Sequence, residues 1–372
     1  MSPLRDGTIY RPPCVVIVMQ IGLYNFGDSM PDAATGARID QGLRIRNLLD
    51  EIELADRVGL DVIALGEHHR ADFSISSPTT VLAAAASRTE RIRLSSGVTV
   101  LGSEDPVRVF QQFATIDQIS QGRAEIMAGR GSFIESFPLF GQDLSQYDEI
   151  FTEKLDLLLT LRESQTVTWQ GVHRPSIDSR DVFPRPFQDE LPIWLAIGGT
   201  PQSAVRAAAL ELPLALAIIG GEYAHFQPMT RLYRQAWGEY GNDPATLQLG
   251  INAHGFVAET SQEARDLVYP TYNAMMNVIG RERGWAPRGR DDFERECDPG
   301  GALLIGSVDD VVEKLLDYHA VFGNTRFLIK LSAAPTDHEA TLRSIELLGN
   351  EVAPRVRAEV AKRVAAAATA TV

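Results

Sequence analysis

Short apolar runs alternate with longer amphipathic stretches along the whole chain. Eight runs have the length and composition of β-strands, and they are VVIVMQ from Val15, DVIALG from Asp61, IRLSSGVTV from Ile92, AEIMAG from Ala124, PIWLAIG from Pro192, PLALAIIG from Pro213, LQLGINAHGFVA from Leu247 and RFLIKL from Arg326. Their hydrophobicity is continuous, as is typical of strands buried on both faces. Between them, RIRNLLDEIELADRVG from Arg44 carries its apolar residues on one helical face and stops at Gly59. The pattern predicts parallel strands joined by helices.

Eight strand–helix repeats favour a (β/α)8 TIM barrel of the α/β class. A doubly wound sheet would use five or six strands and a GxGxxG turn after the first, whereas the segment here is QIGLYNFG. We expect one barrel domain over residues 1–358 and a C-terminal tail over 359–372. Two long insertions, at about 161–191 and 259–306, are expected to fold over the mouth of the barrel, because long loops in compact domains are commonly functional.

The charge and hydropathy of the chain exclude several classes of binding partner. The formal net charge is -14, with 49 acidic and 35 basic residues, which argues against binding nucleic acid or an anionic membrane. No apolar run reaches the ~20 residues of a membrane helix, and the N-terminal run Cys14 to Met19 lacks the features of a signal peptide. We therefore expect a cytoplasmic protein with reduced thiols at Cys14 and Cys297, acting on a small molecule.

The end of the second strand, ALGEHHRADF, supplies the first candidate site. It places Glu67, His68 and His69 where barrel enzymes keep their catalytic groups. Adjacent residues on an extended chain point in opposite directions, so only one of the two histidines is expected to face the barrel axis, and no metal site is expected. Two alternatives stay open: that both rings only satisfy buried hydrogen bonds, and that Glu67 only anchors the turn.

The ends of the fourth and fifth strands supply a candidate anion site. Arg130, between two glycines, could hold a phosphate with its planar guanidinium. The fifth strand ends in a glycine turn and a helix that opens at about Pro201, and helix N-termini bind anions. Ordinary helix capping would explain the same turn equally well. The residues of this turn are Gly198, Gly199, Thr200 and Ser203.

Taken together and in this order, EHH, GVTVLGSEDPVR, ATIDQISQGR leading to AGRG, and GGTPQSAVRAAALELPL resemble the bacterial luciferase-like flavin-dependent monooxygenase family, whose members include bacterial luciferase alpha-type chains. The resemblance covers nearly the whole chain and implies a (β/α)8 barrel. It implies that His68 is the active-site histidine near the flavin. It also implies that Arg130, Thr200 and Ser203 contact the FMN phosphate and that Gly199 donates its backbone amide.

The third strand brings Gly97, Val98 and Thr99 to the same mouth, where we expect them to bind the cofactor. Here the resemblance implies a non-proline cis peptide bond between Gly97 and Val98, beneath the isoalloxazine ring. Gly129 stands where bacterial luciferase has a reactive cysteine. The chemistry of that thiol is therefore not expected in this chain.

The function that the resemblance implies is oxidation of a small organic substrate by reduced FMN and O2 through a flavin C4a-hydroperoxide. A separate flavin reductase, or NAD(P)H, would supply the electrons, and a homodimer is implied. Two alternatives stay open: hydride transfer with a deazaflavin or NAD(P)H on the same barrel, and a non-catalytic flavin-binding partner subunit. The presence of both His68 and Arg130 argues against the second.

Overall fold

Parallel strands close into a barrel in the computed structural model, which describes residues 19–32, 35–131, 133–332, 334 and 336–370. The strands within these ranges are β1 (Gln20–Asn25), β2 (Val62–Leu65), β3 (Arg93–Ser96), β4 (Thr99–Val100), β5 (Ala124–Gly129), β6 (Thr166–Trp169), β7 (Ile177–Asp181), β8 (Ile193–Ile197), β9 (Leu214–Ile218), β10 (Leu249–Val257), β11 (Leu304–Gly306) and β12 (Arg326–Leu331). Eight of them form the barrel in the order β1, β2, β3, β5, β8, β9, β10 and β12, and β12 pairs with β1 to close it. The predicted eight-stranded barrel is therefore confirmed.

Helices connect and follow these strands. They are α1 (Gln41–Arg57), α2 (Pro78–Ala86), α3 (Pro106–Ser120), α4 (Ser136–Leu139), α5 (Tyr147–Glu163), α6 (Pro201–Ala209), α7 (Gln227–Glu239), α8 (Ser261–Arg283), α9 (Arg290–Cys297), α10 (Val308–Phe322), α11 (His338–Leu347) and α12 (Ala353–Ala370). The start of α1 shows how local sequence sets these bounds, because the Asp40 side chain caps the helix by accepting a hydrogen bond from the amide of Leu43.

Two sets of side chains alternate along each barrel strand. Ile21, Leu23 and their counterparts point outward and pack against the helices in the main core. Tyr24, Met127 and Trp194 belong to a separate cluster that fills the barrel. Because neighbouring residues on a strand face opposite ways, this division follows from the pleat. The interior of the barrel is a packed core, and its upper layer can form the floor of a binding site.

The first strand lies further along the chain than predicted. The predicted run from Val15 overlaps β1 only at Gln20, and residues 15–18 lie outside the described residues. The polar groups of Gln20, Tyr24 and Asn25 interrupt the apolar pattern of β1, so this pattern places the first strand too early in the chain.

The predicted insertion at 161–191 does not cover the barrel mouth. Its strands β6 and β7 form an antiparallel hairpin that lies along the outer face of α3 and α5. Gln111 of α3 donates a hydrogen bond to the carbonyl of Phe183 at 2.9 Å, and Glu153 of α5 accepts hydrogen bonds from the backbone amides of residues 172–174. The expectation that this segment closes the site is wrong, because the connection it extends leads from a helix back to a strand.

The insertion at 259–306 follows β10 and lies over the mouth. It contains α8 and α9 and ends in β11, which pairs with β10. Arg70, in the loop after β2, binds the Glu282 carboxylate of α8 through two hydrogen bonds of 3.0 and 2.7 Å. Tyr272 of α8 donates to the carbonyl of Ile219 at 3.3 Å. The two contacts hold α8 across the mouth of the barrel.

The C-terminal part of the chain differs from the predicted tail. Helix α12 runs through the boundary placed between residues 358 and 359. Val356 and Val360 on its inner face are buried, so the main core extends past the predicted end of the domain. Within the described ranges, no helix combines the length and the hydropathy that crossing a bilayer requires.

Candidate active site

The C-terminal ends of the barrel strands surround a mouth, which is the end at which TIM barrels carry their active sites. Phe26, Val98 and Ala196, which follow or end three of the strands, pack on top of the interior cluster. They form the floor of the site. Helix α8 forms its roof on the side of β1 and β10.

Arg130 and Thr200 meet on one side of this mouth. The Nη2 of Arg130 donates a hydrogen bond to Oγ1 of Thr200 at 3.1 Å, and the guanidinium lies 5.0 Å from the centre of the Tyr147 ring. Asp148 forms an ion pair with the same guanidinium. The Thr200 side chain does not cap α6. The two predicted residues are therefore neighbours at the start of a helix.

The glycine turn before α6 leaves its backbone accessible. A Cβ atom added to Gly198 or Gly199 would meet nothing within 4 Å, and Gly199 has a φ of +121°, which L-residues rarely adopt. Ser203, in the first turn of α6, is buried. A guanidinium, a hydroxyl and the amides of a helix N-terminus form a donor set that fits a phosphate monoester. We call Arg130, Gly198, Gly199, Thr200 and Ser203 the anion cradle.

The segment after β3 forms the adjoining part of the floor. The peptide bond between Gly97 and Val98 is cis, which confirms the expectation for this bond. A Cβ on Gly129 would lie 2.9 Å from the Val98 side chain, so glycine is needed where β5 passes this floor. Thr99 is buried in β4.

His68 lies in an aromatic cage at the mouth. Its ring is 4.8, 4.3 and 4.9 Å from the ring centres of Phe26, Phe73 and Phe133. Burial is the main cause that lowers its pKa from the usual 6.5 to about 4; Lys330 and Arg70 contribute, and Asp28 opposes them. The imidazole is therefore uncharged at neutral pH, so it can accept a proton but carries none to donate as an imidazolium.

Glu67 and His69 face away from this cage, as expected for neighbours on an extended segment. Oε1 of Glu67 lies 3.7 Å from Nε2 of His69, whose ring packs against Phe140. Burial, followed by repulsion from the Glu104 carboxylate, raises the pKa of Glu67 from 4.5 to about 8, although the amide of Val100 partly opposes this. Glu67 is thus an uncharged carboxylic acid at neutral pH, beside the site rather than among the groups around His68.

We expect Glu67→Gln to flatten the pH dependence of stability between about pH 4.5 and 8. Because the folded-state pKa lies above the unfolded one, the native state keeps a proton that the unfolded chain releases in this interval. The contribution of Glu67 is therefore full below pH 4.5 and is lost as the pH rises to about 8. Urea unfolding of both proteins at several pH values measures this slope. Glu163→Gln, at an exposed position, is the control, and parallel curves for wild type and Glu67→Gln would contradict the assignment.

A second polar cluster, which the sequence did not reveal, lies across the mouth from the anion cradle. Nζ of Lys330 in β12 donates to Oδ1 of Asp28 at 2.9 Å, and Nδ1 of His254 lies 2.8 Å from Oγ of Ser332. Although burial opposes it, the ammonium of Lys330 lowers the pKa of Asp28, whereas burial lowers the pKa of His254 to about 3. The sequence feature that could have indicated this cluster is the lysine inside the apolar run RFLIKL.

The chain is similar to known proteins over most of its length. The model of the luciferase-like monooxygenase family matches residues 19–325. The 4-hydroxyprotoasukamycin monooxygenase of Streptomyces nodosus subsp. asukaensis is 27% identical over 337 residues, which cover 85% of this chain and 88% of the relative.

Solved structures share the fold. The monooxygenase RslO1 from Streptomyces bottropensis superposes with a TM-score of 0.75 at 25% identity, covering 90% of this chain and 99% of its own. The oxygenating constituent of 3,6-diketocamphane monooxygenase from Pseudomonas putida, in complex with FMN, has a TM-score of 0.74 at 20% identity and covers 91% and 98% of the two chains. The chain is an oxidoreductase that belongs to the luciferase-like monooxygenase family.

Proposed function

We propose that this protein is an FMN-dependent monooxygenase that uses reduced FMN and O2 to oxidise a small organic substrate. The observation that carries the proposal is the anion cradle, in which Arg130 and Thr200 meet before α6 at the same barrel mouth as the caged His68. A cofactor held there by its phosphate can extend toward the barrel axis. The FMN complex of the Pseudomonas putida protein supports the choice of flavin.

The residues present fit FMN. Arg130, Thr200, Ser203 and the backbone of Gly198 and Gly199 would hold its phosphate, and the segment Gly97–Thr99 would support its ring system. When bound, reduced FMN supplies the electrons that activate O2, since hard redox chemistry belongs to the cofactor. The protein contributes binding and orientation.

The aromatic cage around His68 determines which role this residue can have in proton transfer. The rings of Phe26, Phe73 and Phe133 exclude water from one side of the imidazole. Because the imidazole is uncharged, its role in this proposal is to accept a proton or a hydrogen bond from the reacting groups. Helix α8, tied to Arg70 through Glu282, limits entry of water from above.

Flavin binding and oxygen consumption together test this proposal. Purified protein is titrated with FMN and with the deazaflavin F420, and O2 uptake is then followed with chemically reduced FMN across a panel of ketones, aldehydes, alkanes and sulfonates. We expect preferential FMN binding and O2 uptake that depends on one of these substrates. Preferential F420 binding without O2 uptake would favour the hydride-transfer alternative. FMN binding without turnover on any class would favour a non-catalytic flavin-binding subunit.

We also propose that a separate flavin reductase, or NAD(P)H, delivers the electrons and that the protein is a homodimer. Both inferences rest on the family resemblance. Light scattering after size-exclusion chromatography measures the mass against the 40.8 kDa of one chain. Oxidation of NAD(P)H by the purified protein, with and without an added reductase, identifies the electron source.

A further inference from the structure

Lys330 is a buried cation that points into the barrel mouth. It stands two residues after Leu328 on β12, and Leu328 belongs to the cluster that fills the barrel. Residues two apart on a strand share a face, so Lys330 faces the same interior one layer higher. Its side chain is 3% exposed, and Nζ lies 5.6 Å from the ring centre of Phe26 on the floor of the site.

The ammonium of Lys330 can donate more hydrogen bonds than the one that Asp28 accepts. A lysine ammonium carries three N–H groups. Within the described residues one hydrogen bond from Nζ is found, to Oδ1 of Asp28 at 2.9 Å. The nearby Ser332 hydroxyl instead donates to the carbonyl of Lys330 itself and contacts Nδ1 of His254. A buried cation with free donors favours an additional acceptor. The small cavity beside it is lined by Asp28, Met30, Thr271, Tyr272, Met275, Lys330 and Ser332.

The order of strands places this cavity opposite the anion cradle. Arg130 and Thr200 follow the fourth and fifth barrel strands, whereas Lys330 lies in the eighth and Asp28 follows the first. In an eight-stranded ring these positions are four strands apart. A cofactor anchored at the anion cradle would therefore occupy the side of the mouth away from Lys330. The cavity of about 10 Å³ beside Lys330, under α8, has room for one oxygen-sized group of a second molecule.

The surroundings of Lys330 limit the charge of that molecule. The pair that Lys330 forms with Asp28 is neutral overall, and it is buried where an added anion would leave an unpaired negative charge. An uncharged oxygen can accept the free hydrogen bonds without this cost. Phe26, Met30 and Met275 provide apolar surface around it.

We propose that Lys330 is a specificity-determining residue that donates a hydrogen bond to a carbonyl or similar uncharged oxygen of an otherwise apolar substrate. Asp28 holds the ammonium in place. This inference rests on the proposed function, because it assigns the second binding position of the same mouth.

Three ring compounds of similar size test the proposal by calorimetric titration into the FMN-loaded protein. They are cyclohexanone, methylenecyclohexane, which replaces the oxygen by a CH2 group, and cyclohexanecarboxylate. We expect wild type to bind cyclohexanone about tenfold or more tightly than either of the others, as for a hydrogen bond to a charged donor. Lys330→Met should lose this preference while its affinity for FMN stays the same.

Two further variants keep the test decisive. Asp28→Asn/Lys330→Met removes both charges, so it avoids an unpaired buried carboxylate and should show the same loss if the single variant does not fold. Lys314→Met removes another buried ammonium, which binds three backbone carbonyls of the α9–β11 segment, and should retain the preference for the ketone.

Several results would overturn the assignment. Wild type without a preference for cyclohexanone, or Lys330→Met with an unchanged preference, excludes the hydrogen bond to substrate. A changed FMN affinity or flavin midpoint potential in Lys330→Met, with the ketone preference retained, would show that the ammonium contacts the flavin instead. Because the ketone preference is measured by binding to the FMN-loaded protein and monooxygenation by O2 uptake, the preference can fail while turnover is observed, and turnover can fail while the preference is observed.

Discussion

Arg130→Ala is expected to bind FMN about 30- to 150-fold more weakly than wild type. A guanidinium that holds a phosphate through charge-assisted hydrogen bonds contributes roughly 2 to 3 kcal/mol, and the cradle offers no second cation among its members. Arg130 already donates to Thr200, so its fork is oriented before the ligand arrives. Quenching of FMN fluorescence at fixed ionic strength measures the dissociation constant.

Riboflavin, which lacks the phosphate, is the control ligand for this experiment. Its affinity should change far less in Arg130→Ala than that of FMN. In the opposite direction, Asp148→Asn should tighten FMN binding several-fold, because the Asp148 carboxylate competes with a phosphate for the same guanidinium. Equal losses for FMN and riboflavin would show that Arg130 acts through the packing of Tyr147 rather than on a phosphate.

The barrel could be predicted because its strands are marked by local sequence. Runs such as PIWLAIG and PLALAIIG are apolar throughout, and they coincide with β8 and β9. β1 departs from this rule because Gln20 and Asn25 lie at its ends, so its position depends on pairing with β2 and β12. The route of the 161–191 hairpin likewise depends on contacts with α3 and α5 that no local pattern contains.

The candidate site likewise contains residues that local motifs indicate and residues whose position depends on contacts between distant parts of the chain. Arg130, Thr200 and the Gly97–Val98 bond stand in short motifs after strands, and the resemblance to a family located them. Lys330 and Asp28 lie 302 residues apart, and their pairing exists only because the last barrel strand closes against the first. A single sequence shows a lysine in an apolar run but cannot show which carboxylate accompanies it.

His68→Ala is expected to lower substrate-coupled turnover by about 100-fold or more while the affinity for FMN stays within a few-fold of wild type. This magnitude is typical of removing a group that transfers a proton. The ring lies among Phe26, Phe73 and Phe133 rather than in the anion cradle, so flavin affinity should be largely independent of it. Steady-state O2 uptake and flavin titration on the same samples measure both quantities.

The alternative role for His68 is packing, and His68→Phe separates the two. Phenylalanine preserves the aromatic cage but cannot take a proton, so it should be as inactive as alanine if proton transfer matters and nearly as active as wild type if packing does.

The pH dependence of activity gives independent evidence on the role of His68. Since burial lowers the pKa of His68 to about 4, the uncharged form dominates above pH 5, and any loss of activity due to its protonation should occur only as the pH falls through about 4. Nuclear magnetic resonance of labelled histidine should accordingly show no titration of this ring between about pH 5.5 and 8. A His68 titration near pH 6.5 would mean that the ring is solvated and that the cage is open in solution.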